Sequence, residues 1–302
     1  MPKLLARILC CFLIFALYGC KESYKTEQFY AMGTFVSITV PEDDADVIVD
    51  ARSKITALEA AVKVDTEKFN KNPRYKPRLA ISELISRGKA YELITDGRFS
   101  IYSATVSKLY GFPEGAYRVP EQAEIDMALD NISRGTNITM DLGAYAKGWI
   151  VDEAINEIRD AGVKTAMVNA GGDLFALGKR PDRDWRIAIQ DPKNNRDYIS
   201  IINLENMAVA TSGDYERFFK AQDGRTIFHI FDATTGQNPE YYHSVSVIAP
   251  TTEEADGLST AFFLINPAEV RAKCKKLNTP VLLYTVNGNI MKLCGWEKFE
   301  KK

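Results

Sequence analysis

The chain has 302 residues, 46% of them hydrophobic and 26% charged, which is ordinary globular composition. That length allows one large domain or two, and buries a sizeable core without metal or disulfide staples. A formal net charge of −2 leaves no basic surface for nucleic acid, and two histidines nearly exclude a His-based zinc site.

The N-terminus reads as a targeting segment. Lys3 and Arg7 precede an apolar run from Ile8 to Leu17, shorter than the about 20 residues a bilayer span needs. The run ends in Leu17-Tyr18-Gly19-Cys20, which resembles a bacterial lipobox. The expectation is a signal peptide over 1–19, lipid on Cys20, a tether over 20–28 and a folded body over 29–302. The protein would then be exported and anchored by lipid at the periplasmic face of a bacterial membrane. Of five cysteines only Cys274 and Cys294 remain in the body. Export permits a disulfide between them, and buried free thiols fit equally well.

Residues 29–40 alternate Val36, Ile38 and Val40 on one face and read as a strand. Helical spacing of apolar residues follows over 43–62, then a polar loop over 68–78 and a helix over 80–95. After a loop at 111–120 come a short helix at 121–131, a strand ITMDLG, a helix over 145–160 and strand-like AMVNAGGDLFALG. From 185 the strands run nearly consecutively: WRIAIQ, YISIINL, MAVATSG, TIFHIFD and HSVSVIAP. The helix TEEADGLSTAFFLI and another near 268–277 precede VLLYTVNG. Consecutive strands joined by short turns predict an α+β fold with largely antiparallel sheets packed against helices.

Several stretches carry candidate chemistry. Asp256 and Thr260 stand four apart on a helix, so one face offers a carboxylate and a hydroxyl, hard oxygen donors suited to Mg²⁺; a polar face of a buried helix reads as well. His229 lies in an alternating apolar run, as a core residue or a catalyst. Gly171-Gly172 lacks the spacing of a dinucleotide fingerprint and suits a hairpin corner. Thr211, Ser212, Gly213 and Asp214 form a turn or line a pocket. In DLGAYAKGWIVD, Asp141 ends a strand and Lys147 stands at a helix start, where N–H groups favour anions.

Taken in order, these segments resemble one family, the ApbE-type FAD:protein FMN transferases. Ala31-Met32-Gly33-Thr34 is similar to the family's MGT, and DGRFSIYSATVSKLYGF to its DGAFDxTVxxLxxLWGF. DLGAYAKGWIVD is similar to DLGGIAKGYAVD, and NAGGDLFALG, ATSGDYERFF, FHIFDATTG and IAPTTEEADGLSTAFF have counterparts. The resemblance implies a T-fold-like, duplicated α+β architecture. It also implies binding of FAD, use of Mg²⁺, and transfer of FMN to a Thr or Ser hydroxyl of an exported or membrane-bound protein, releasing AMP. By position, Met32, Arg98, Phe99, Ser100, Asp141, Lys147 and Ile230 would contact FAD. The Ala144 carbonyl, Asp256 and Thr260 would hold the metal, and His229 would be the base, with Asp141 and Asp232 as alternatives. Arg98-Phe99-Ser100 departs from the family's Ala-Phe-Asp. Hydrolysis of FAD to FMN and AMP, or FAD binding without catalysis, are the competing expectations.

Overall fold

In the computed structural model, which describes residues 23–181 and 183–300, the chain opens with a hairpin. Strand β1 (Tyr24–Ala31) runs antiparallel to β2 (Thr34–Pro41), with Tyr24 opposite Pro41 and Ala31 opposite Thr34. The strand expected over 29–40 is thus two strands. Residues 24–28, expected as tether, are part of the sheet. Their polarity is compatible with this because β1 is an edge strand, where polar side chains face water. The signal segment and Cys20 lie outside the described residues. The two strands join through Met32 and Gly33, both at positive φ (53° and 72°), as the twist of a two-residue hairpin demands.

Helices α1 (Val47–Lys71), α2 (Leu79–Ile94), α3 (Ala104–Ser107), α4 (Gln122–Arg134) and α5 (Ala146–Asp160) follow. Helix α1 runs into the expected loop, and the buried Asp65 then folds the next segment back. It accepts from the Tyr75 hydroxyl (2.8 Å), the Arg78 backbone N–H (3.0 Å) and Arg78 Nε (3.0 Å). ITMDLG is no strand. Its hydrogen bonds go elsewhere: Asn70 accepts from the Met140 N–H (2.7 Å) and donates to its carbonyl (3.0 Å), Thr105 Oγ1 accepts from the Thr139 N–H, and the Asp141 N–H goes to the Ile101 carbonyl (2.8 Å).

The remaining elements are β3 (Ala166–Ala170), β4 (Asp173–Leu177), β5 (Trp185–Asp191), β6 (Asn194–Leu204), β7 (Met207–Gly213), β8 (Phe218–Lys220), β9 (Thr226–Phe228), β10 (Tyr242–Ala249), α6 (Thr252–Phe263), α7 (Pro267–Leu277), β11 (Val281–Thr285) and β12 (Ile290–Leu293). Eight strands form one antiparallel sheet in the order β1-β2-β3-β4-β7-β10-β11-β12. It divides between β4 and β7 into equivalent halves. Each half has two strands, then helices, then two strands, which is the duplicated α+β plan.

Period-two alternation sorts the apolar residues between two faces. Phe175, Ala208, Ala210, Val247 and Leu283 join the main core beneath α5 and α6. Their neighbours Leu174, Ala176, Val209, Ile248 and Leu282 form a second core with Trp185, Ile187 and Ile202 of the β5–β6 hairpin. A third cluster links Tyr110, Phe112, Ile125 and Phe231 under α4. Cys274 and Cys294, left open above, are joined in a disulfide that ties the end of α7 to the end of β12. Among the described residues no helix is long and apolar enough to cross a membrane.

Candidate functional site

A cavity of about 290 Å³ opens where α5, α6, the β1–β2 turn and the end of β7 meet. Met32, Phe99, Ser100, Asp141, Ala144, Lys147, His229, Ile230, Asp256 and Thr260 all line it. Residues spread over more than 220 positions of sequence are thereby gathered into one wall. Arg98 is the exception among the expected contacts. Its guanidinium instead grips both oxygens of Glu269 (3.0 and 2.9 Å), and its Nε lies 4.0 Å from Asp232. Glu269 is the N3 residue of α7, where its carboxylate also caps the Asn266 N–H, so Arg98 joins an existing helix cap.

The oxygen donors come from two helices in contact. Thr260 Oγ1, on α6, lies 3.4 Å from the Ala144 carbonyl, which precedes α5. Asp256, one turn earlier on α6, is buried and accepts the Gly148 N–H of α5 through Oδ2 (2.9 Å), leaving Oδ1 for another partner. The close approach requires Gly148, since a Cβ there would overlap the backbone of Thr252. Asp152, one turn along α5, accepts from the Thr252 and Glu253 N–H groups (2.7 and 2.9 Å) and so caps α6. Ser212 of β7 anchors the other side, bonded to Ser259 Oγ (2.8 Å) and Thr260 Oγ1 (2.9 Å).

A carbonyl, a carboxylate and a hydroxyl form a hard oxygen set of the kind that suits Mg²⁺. Among the described residues no group of three or more His, Cys, Asp or Glu side chains stands ready for a metal.

Electrostatics favour added positive charge at this locus. Burial pushes the Asp256 carboxyl well above the usual carboxylate range, and the neighbouring Asp173 pushes it the same way. Lys147 pairs with Asp173, the buried first residue of β4. Burial alone would depress the Lys147 ammonium, but Asp173 and Asp256 outweigh that and hold it above its ordinary value. A divalent cation beside Asp256 would favour its ionised form and offset the repulsion from Asp173.

The remaining walls are turns. Asp141 Oδ1 accepts from the Gly143 N–H (2.8 Å), a local loop that presents Ala144. Met32 is held at its positive φ partly by the N–H bond it donates to Glu59 Oε1 (2.8 Å). His229 lies just past β9 and donates its backbone N–H to the Arg217 carbonyl (3.1 Å). Its Nδ1 is buried without a hydrogen-bond partner. Loss of water, then the nearby Arg217 charge, push the imidazole down to about 3, so it is neutral at physiological pH. Asn238 fixes this segment by donating to the Phe228 and Ile230 carbonyls (both 2.7 Å). Asp232 is occupied with the Thr234 N–H and hydroxyl and does not line the cavity.

Sequence reasoning missed Glu216, Arg217, Ser103, Ser107 and the partner role of Asp173. Glu216 and Arg217 directly follow the ATSGDY turn already singled out. Asp173 directly follows Gly171-Gly172, so proximity to a glycine corner was the available signal.

An antiparallel, duplicated α+β body with a polar cavity of hard oxygens, one lysine and one neutral histidine is the class these features define. The chain belongs to the ApbE family, whose model matches residues 32–283. It is 29% identical to the FAD:protein FMN transferase of Haemophilus influenzae, over 97% of this chain and 96% of that one. It is 26% identical to the protein of the same name from Escherichia coli (strain K12), over 86% and 84% of the two chains. The crystal structure of an ApbE protein from Thermotoga maritima is similar with a TM-score of 0.85 at 27% identity, over 93% of this chain and 100% of that one. The apo form of Pseudomonas stutzeri flavinyl transferase ApbE gives 0.80 at 25% identity, over 92% and 97%.

Proposed function

We propose that this protein is a Mg²⁺-dependent FAD:protein FMN transferase that moves FMN onto a Thr or Ser hydroxyl of a partner protein and releases AMP. The observation that carries the reading is the convergence of the Ala144 carbonyl, Asp256, Thr260, Lys147 and His229 in one cavity of a chain whose relatives bear that name. In the reaction, the acceptor oxygen bonds to the FMN phosphorus. The bond from that phosphorus to the oxygen bridging to AMP breaks, and AMP leaves with the bridging oxygen.

Such a substitution is governed by positioning and by neutralising charge on phosphate oxygens. Asp256, Thr260 and the Ala144 carbonyl would hold Mg²⁺, which supplies charge neutralisation at the pyrophosphate when bound. Lys147, kept charged by its carboxylate neighbours, adds fixed positive charge at the same place. His229, with Nδ1 unpartnered in the cavity, is the group we assign to the hydroxyl proton; at about 3 it is a weak base and accepts that proton only as the new phosphorus–oxygen bond forms. Met32, Phe99, Ser100, Asp141 and Ile230 are the remaining walls against which FAD would lie. Arg98 does not share in these walls: its side chain is spent on Glu269 and its carbonyl accepts the Ala233 N–H (2.9 Å).

The same reading places the enzyme outside the cytoplasm on a lipid carried by Cys20, acting on an exported or membrane-bound acceptor. The charged n-region, the short apolar run and the terminal Gly-Cys support it, as does a disulfide, which persists in oxidising compartments. The test is incubation with FAD, Mg²⁺ and candidate acceptors, followed by mass spectrometry for an FMN phosphoester and assay of AMP. Both should appear, and both should vanish in Asp256→Ala. Free FMN without an adduct would make the protein an FAD pyrophosphatase. AMP release unchanged in Asp256→Ala would sink the metal assignment.

A further inference from the structure

A second hollow adjoins the cavity at Glu216. Gly171, Thr211 and Glu216 line both the cavity and this groove of about 300 Å³ on the second face of the sheet. One wall is that face, contributed by alternate residues such as Val209 and Thr211; the other is β5. Residues 186–190 of β5 line the groove in unbroken succession. A strand seen on its face would contribute every second residue, so an unbroken run marks an edge. Strand β5 pairs only with β6, and among the described residues no other backbone hydrogen bond reaches it. Its second edge therefore turns backbone N–H and C=O groups toward the groove, a template for another strand. Ile187 and Ile189 are buried, while residues 186, 188 and 190 are exposed, so the edge is anchored on one side and accessible on the other; its register with β6 shifts after Ile189.

We propose that this groove docks an extended segment of the acceptor protein as a third strand beside β5, with the reacting Thr or Ser at its Glu216 end. The inference rests on the transferase reading and adds where the acceptor sits. Transfer to a protein requires a place for a polypeptide beside the cavity while FAD occupies it, and the groove borders the cavity at Gly171, Thr211 and Glu216. Five residues of edge span about 17 Å, enough for a strand of similar length. Main-chain pairing supplies affinity, and the apolar floor at Leu174 and Val209 takes alternate side chains. The adenosine half of FAD could satisfy only a small part of such an edge.

The test uses a library of synthetic peptides, each with one central Thr or Ser, incubated with full-length protein, FAD and Mg²⁺. Labelling is read by flavin fluorescence and mass. Wild type should label a subset, and Ala188→Trp, which fills the groove from an exposed position, should lose about tenfold or more in kcat/KM for peptide. Its FAD affinity should stay within about twofold and its Tm should be unchanged. Gln190→Trp repeats the test if Ala188→Trp does not fold. Undiminished peptide labelling in a folded groove variant overturns the proposal, as does a parallel loss of FAD affinity, which would assign the groove to nucleotide. FAD cleavage by wild type with no labelling of any peptide or protein would instead defeat the transferase reading, and the inference with it. Labelling of folded proteins but of no peptide would overturn the extended-segment docking alone.

Discussion

Replacing Gly148 with alanine would probe whether the contact between α5 and α6 sets the donor geometry. The new Cβ would overlap the Thr252 carbonyl oxygen and stand 2.6 Å from its carbon and 2.8 Å from the Glu253 nitrogen. All three are backbone atoms, so no rotamer relieves the clash. Restoring ordinary contact requires the helices to part by about 1 Å. That movement strains the Gly148 N–H bond to Asp256 (2.9 Å) and the Asp152 bonds to Thr252 and Glu253 (2.7 and 2.9 Å). Overpacking costs about 1–3 kcal/mol, and alanine's better helix propensity returns up to about 1 kcal/mol. At about 2–4 °C per kcal/mol for a chain of this size, Tm should fall by several degrees. The functional effect should be larger. Asp256 and Thr260 ride on α6 while the Ala144 carbonyl sits at the start of α5, so a 1 Å separation displaces the donors relative to one another and costs about a hundredfold in turnover. Calorimetry and a Mg²⁺ titration of AMP release measure the two effects separately. A variant with unchanged Tm and unchanged Mg²⁺ requirement would refute the claim that this helix contact sets the site.

The low value of His229 predicts a pH–rate profile without an acidic limb near the ordinary histidine value of about 6.5. His229→Asn should lower kcat by about a hundredfold or more while FAD affinity is kept, and a limb near that value in wild type would count against the assignment. Burial alone would raise the Asp65 carboxyl, but its Arg78 and Tyr75 donors outweigh that and hold it below its ordinary value. A depressed carboxylate contributes stability above the unfolded value and loses it as pH falls, so below about pH 4 wild type should lose Tm more steeply than Asp65→Asn. Equal slopes would refute this. Reducing the Cys274–Cys294 bridge, which closes a 20-residue separation, should cost about 3 kcal/mol and leave FAD affinity unchanged, because neither cysteine lines the cavity. Thermal melts with and without reductant, beside FAD titrations, check both halves.

Much of the site was legible because its chemistry is local. Asp256 and Thr260 share a helix face by spacing alone, and alternating residues such as Val36 and Ile38 declare a buried strand face wherever they pair. Resemblance then linked segments whose individual signals were weak. Other features were illegible because periodicity records which face is buried, not what lies across from it. The pairing of Lys147 with Asp173 depends on where α5 crosses β4. The diversion of Arg98 to Glu269 depends on where α7 begins, and in place of strand pairing the ITMDLG run bonds to Asn70, seventy residues before Met140, and to Ile101 and Thr105. Asp152 lies inside a helix by sequence, yet it caps a second helix a hundred residues later. Composition, motif order and element periodicity were properties of neighbouring residues and needed only the chain. The raised Asp256 carboxyl, the neutral His229 and the open edge of β5 were decided by tertiary structure. Desolvation and strand pairing belong to surroundings that the chain acquires only on folding.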